Sequence, residues 1–161
     1  MMASSGAYHR EWAQSESVPA EEVFELLAQE GRLQGGCMVL DRANPVSYAL
    51  TVARSVLQLI DDVADQEGLP KPMASAMARV THCAIAGLVR FMAARSHVLG
   101  CDLGKAVDHS KADLEAMAQL LDLVITSDLT RRNADHVAVV IRCTAYGITE
   151  RLSHVEHVIE Q

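Results

Sequence analysis

Aromatic residues are scarce in this chain, with two Phe, one Trp and three Tyr among 161 residues. Proline is scarcer still: there are four, and none follows Pro72. Strands draw on aromatic and β-branched side chains, so these shortages exclude an all-β fold. Basic residues are also few, 14 Lys and Arg against 21 Asp and Glu, and the only doublet is Arg131-Arg132. Proteins that wrap nucleic acid pool positive charge, so a nucleic-acid partner is not expected. The four cysteines, Cys37, Cys83, Cys101 and Cys143, form no Cys-x-x-Cys pair, which removes zinc-ribbon and thioredoxin-type readings. The longest apolar-rich run, 73–94, carries Arg79, His82 and Arg90, so no membrane span is expected. No basic start leads into an apolar signal core. Free thiols in a cytoplasmic protein are the expectation.

What is abundant is Ala (23) and Leu (17). Both favour helices. Residues 1–16 are small and polar with no period, and read as a flexible tail before one domain over 17–161. Ser17 and Pro19 open a short helix, with Glu21, Glu22 and Glu25 near its positive end. Gly31 and Gly35-Gly36 end it, and 37–40 reads as a short extended piece. Four long helices follow, expected over 46–66, 73–97, 102–127 and 133–159. Their apolar residues recur at three and four, as in Leu114, Met117, Leu121 and Val124, or Ile141, Ala145, Ile148, Leu152 and Val155. The reading is an all-α antiparallel bundle of four long helices preceded by one short N-terminal helix.

A shift of 60 residues superposes Cys83-x-x-x-Gly87 on Cys143-x-x-x-Gly147, and Asp62 on Asp122. This raises the reading of two repeated helical hairpins. A glycine inside a helix costs about 1 kcal/mol against alanine, so two in matching places predict a close crossing of the second and fourth long helices. Those same helices, around 73–94 and 137–148, are apolar on more than one face. A helix apolar all round is buried on both sides. In so short a chain the second side points to a homodimer. Its interface is expected at Met77, Val80, Cys83 and Gly87 on one helix and Val139, Val140, Cys143 and Gly147 on the other.

Two patterns carry possible chemistry. Asp61-Asp62-x-x-Asp65 puts three carboxylates near one side of a helix end, where they can share Mg²⁺ over a diphosphate. The five residues resemble the aspartate-rich motif of prenyl-diphosphate synthases, which are longer and need a second acidic motif that this chain lacks. Glu22-x-x-Glu25 with Asp62-x-x-Asp65 likewise imitates the acidic pairs of all-α nucleotide pyrophosphatases. Three acids at a helix C-terminus oppose the macrodipole, so something must compensate them: Lys71, a distant Arg, a metal or solvent. Arg131 and His136 form an Arg-x4-His that resembles the motif of HEPN-type ribonucleases, in which Arg positions phosphate and His transfers a proton. That family usually carries a small polar residue after the Arg, where this chain has Arg132. The plain alternative is a helix start capped by Asn133.

Glu150, His154 and His157 share a stripe at zinc-ligand spacing. Each lies two residues after a core position, which is about 200° of helix turn, so they are expected to face solvent. No Ser-His-Asp order and no phosphate loop is present. The reading that results is a small non-catalytic helical adaptor or regulator that binds another protein as a cytoplasmic homodimer, without cofactor or catalytic residue. The alternatives are a Mg²⁺-dependent enzyme acting on a diphosphate or nucleotide through Asp61, Asp62 and Asp65, and a ribonuclease using Arg131 and His136.

Overall fold

Proline is tolerated in the first turn of a helix, where its missing N–H has no partner to lose. Pro45 and Pro72 both stand in such turns. The computed structural model describes residues 45–63, 68–95 and 99–159. Within them are four α-helices and no strand: α1 Pro45–Asp62, α2 Lys71–Arg95, α3 Cys101–Thr126 and α4 Arg131–Ile159. The short N-terminal helix, the tail 1–16 and the extended piece 37–40 lie outside the described residues.

The helix ends follow local chemistry. Gly68 takes φ +88° between α1 and α2, a left-handed conformation that costs glycine nothing. Gly100 sits extended before α3, with no side chain to cap it. At the start of α4 the Asn133 N–H donates to Thr130 Oγ1 at 3.2 Å. Thr130, not Asn133, is therefore the cap, and the helix begins two residues before the expected 133. Asn133 is the third residue inside the helix, whose amide the cap satisfies.

Each helix packs on its neighbour in the chain, and α4 returns to pack on α1. The four close round one core. Met77, Ala84 and Leu88 of α2, Leu114, Met117 and Leu121 of α3, and Ile141, Ile148 and Leu152 of α4 are fully buried in it. The expected close crossing of α2 and α4 is not formed, because these two are not among the packed pairs. A Cβ on Gly87 would meet Pro45 of α1 at 3.4 Å, and one on Gly147 would meet the guanidinium of Arg151 on its own helix.

The stretch buried on every side is the first half of α1, where each residue from Pro45 to Ala53 is buried. Apolar counting passes over it because Ser47 and Thr51 interrupt the pattern. Both hydroxyls have partners: Ser47 donates to Glu156 of α4, and Thr51 donates to the Ser47 carbonyl at 2.9 Å. A satisfied hydroxyl can be buried at little cost. The apolar excess of α2 and α4 instead reaches the surface, at Val89 and at Val139, Val140 and Tyr146.

Candidate functional site

The rotation of α4 about its own axis decides which residues it offers outward. On one flank Arg151 donates to Ser110 at 3.2 Å and to Asp113, both on α3. On the other, Glu156 accepts from Ser47, Ser153 accepts from Arg54 at 3.2 Å, and Arg142 donates to Asp61 at 2.8 Å, all reaching α1. Ile141, Ala145, Ile148, Leu152 and Val155 point inward between these flanks. The opposite side of α4 is left to solvent. There Arg132, His136, Val139, Cys143, Tyr146 and Glu150 are all exposed, at alternating spacings of four and three. Val139 is 57% and Tyr146 59% exposed, and Val140, 48% exposed, flanks them. Large apolar side chains so open to water mark a contact surface when they cluster.

The predicted interface residues divide. Met77 and Val80 are fully buried in the chain's own core. Cys83, Gly87 and Gly147 are half-buried, and Val139, Val140 and Cys143 are exposed. The structure thus brings the α4 members onto one open face and separates the α2 members from it. Tyr146 was missed. The signal that finds it is the same two-residue step from a core position, here Ile148, that places Glu150, His154 and His157 outside. All three of those are exposed.

The acidic end of α1 is held by ordinary partners. Asp61 pairs with Arg142, both about half exposed, and Asp62 accepts from Gln58 at 3.0 Å. The hydrogen bond and charge of Asp61 raise the Arg142 guanidinium above its usual value. Of the compensations considered for this end, a distant arginine is the one the structure supplies to Asp61. Asp65 lies outside the described residues. Among the described residues no group of three or more His, Cys, Asp or Glu is placed to hold a metal.

Arg131 and His136 are both exposed in the first turns of α4. Five residues apart, they stand about 140° from each other round the helix, so one chain does not bring them onto one side. No protein-family model, curated protein or solved structure matches the chain. Among the described residues no helix is long and apolar enough to cross a membrane.

Proposed function

We propose that this protein is a small non-catalytic helical adaptor or regulator that binds another protein and acts as a homodimer. The observation that carries the reading is the open apolar centre of α4, Val139, Val140 and Tyr146, on a helix whose other sides are already tied to α1 and α3. A helix whose rotation is fixed by polar clamps on both flanks presents that centre as a preformed surface. Preformed surfaces lose little ordering entropy on binding.

In this reading the ring of helices is an antiparallel bundle. The contacts support it: the start of α1 meets the end of α4 at Ser47 and Glu156, and its end meets the middle of α4 at Asp61 and Arg142. The protein works in the cytoplasm, where the free thiols of Cys83, Cys101 and Cys143 stay reduced. It needs no metal and no cofactor.

The experiment uses the full chain as bait in a lysate of its own source, beside Tyr146→Lys. One protein captured in stoichiometric amount by the parent chain and lost with Tyr146→Lys, at unchanged helicity and melting temperature, supports the reading. No stoichiometric capture, or the same capture by both chains, overturns it.

A further inference from the structure

The outward stripe of α4 has a polarity along its length. Arg132 and His136 stand at its N-terminal end, Val139, Cys143 and Tyr146 follow, and Glu150 comes next, before His154 and His157, all exposed. The spacings 132, 136, 139, 143, 146 and 150 alternate four and three, the repeat by which two helices pack seam to seam. Over 132–150 the stripe runs from cationic through apolar to anionic, an order complementary to itself reversed. We infer that a second copy of this chain docks on this stripe, with the two α4 helices antiparallel.

The register follows from the repeat. Layers that pair unlike seam positions set Glu150 against Arg132 of the second copy, Tyr146 against its His136, and Cys143 against its Val139. The two-fold axis then passes near position 141 of α4. Opposite charges meet at both ends, and two aromatic rings meet one turn further in. The parallel alternative would stack Glu150 on Glu150 and Arg132 on Arg132, and like charges in direct opposition repel. Charge order therefore selects the antiparallel pair. The flanking arginines take no part: Arg142 is held by Asp61, and Arg151 by Ser110 and Asp113. The inference rests on the homodimer reading above and names its face and direction; a protein partner that binds at Tyr146 takes the second copy's place on this stripe.

Sedimentation equilibrium of the full chain, parent and variants, tests it. The parent is expected to dimerise. Arg132→Glu and Glu150→Arg, each alone, set like charges opposite one another at both ends and raise the dimer dissociation constant about tenfold or more, the order expected when two symmetric ion pairs are replaced by two repulsions. The double variant Arg132→Glu/Glu150→Arg restores the opposite pairing and returns the constant to near the parent value. No general loss of fold produces that recovery. In a chain with Cys37, Cys83 and Cys101 changed to Ser, Val139→Cys is expected to give a disulfide-linked dimer under mild oxidation.

A dimer indifferent to both single changes, or a double variant no better than the singles, overturns the stripe while leaving a homodimer by another face. A chain monomeric at every concentration overturns both the stripe and the homodimer. If that monomer still captures a protein in a manner sensitive to Tyr146→Lys, the adaptor reading stands without them.

Discussion

Arg142, midway along α4, donates to Asp61 in the last turn of α1 at 2.8 Å. The two residues stand 81 apart in sequence, and each is about half exposed. The pair puts a cation beside the negative end of α1, where the macrodipole and two aspartates concentrate like charge. It also joins one flank of α4 to α1, while the buried inward stripe of α4 sets which way the outer stripe faces.

An exposed pair of this kind contributes little to stability and is screened by salt. Asp61→Ala and Arg142→Ala are each expected to move the melting temperature no further than ordinary surface substitutions do. The double variant should match the worse of the singles, since both changes remove one interaction. The small effect should vanish in high salt. Thermal melts at low and high ionic strength check it, and a large loss from Asp61→Ala alone would mean that the carboxylate has another role.

The clamp on the opposite flank is a stronger one. Arg151 and Asp113 are only about a quarter exposed, and Ser110 is fully buried. Arg151→Ala leaves the carboxylate and the hydroxyl without their donor. The expected cost is about 2 kcal/mol, the range for hydrogen bonds to charged groups. Arg151→Lys should not restore it, because one ammonium cannot reproduce the two-directional guanidinium contact. Urea unfolding of the three chains gives the comparison.

The four long helices were legible because each has an inward stripe of Leu, Ile, Val, Met or Ala at three and four, and because Gly68, Pro70 and Gly100 punctuate them. Helix ends came within two residues of those expected except at the end of α1, which stops at Asp62, four residues short of the expected 66. The cap of α4 did not, since Thr130 and Asn133 are both good capping residues and only geometry chooses between them. The outer stripe was half legible. Val139, Val140 and Cys143 follow from the apolar excess of α4, whereas Met77 and Val80 were drawn in because composition cannot say which face of α2 turns inward. The burial of α1 was hidden by hydroxyls whose partners, Glu156 and a carbonyl one turn back, appear only in three dimensions. The match of Cys83-x-x-x-Gly87 with Cys143-x-x-x-Gly147 led to a crossing that a ring of neighbours does not allow.

Among the described residues, Gly68 is the glycine that the fold requires. Its φ of +88° is strained for any other residue, and an added Cβ would stand 3.3 Å from the Ala134 Cβ at the start of α4. Gly68→Ala is expected to destabilise by about 2 kcal/mol, the middle of the range for a residue forced into the left-handed region. Adding Ala134→Gly removes the close contact and leaves the strain, so the double variant should recover only part of the loss, after allowance for the weaker helix start. Denaturant midpoints of the two chains separate the contributions. No loss in Gly68→Ala would show that this turn relaxes to another conformation.

Ser55 offers the opposite effect, a substitution that should stabilise. It lies one turn beyond Thr51 on α1 and is 6% exposed, yet its Oγ has no hydrogen-bond partner among the described residues. A buried hydroxyl without a partner gives up its hydration for nothing. Ser55→Ala removes that oxygen, leaves almost no cavity and substitutes the best helix former. The expected gain is about 1 kcal/mol. For a chain of this size that raises the melting temperature by about 3 °C. Thr81 is the control, because it is fully buried but donates to the Met77 carbonyl at 2.7 Å. Thr81→Val keeps the shape and removes a hydroxyl that is satisfied, so it should bring no comparable gain. If the two changes shifted the melting temperature alike, helix propensity or packing would account for both, and the unpaired state of Ser55 would not be what sets the difference.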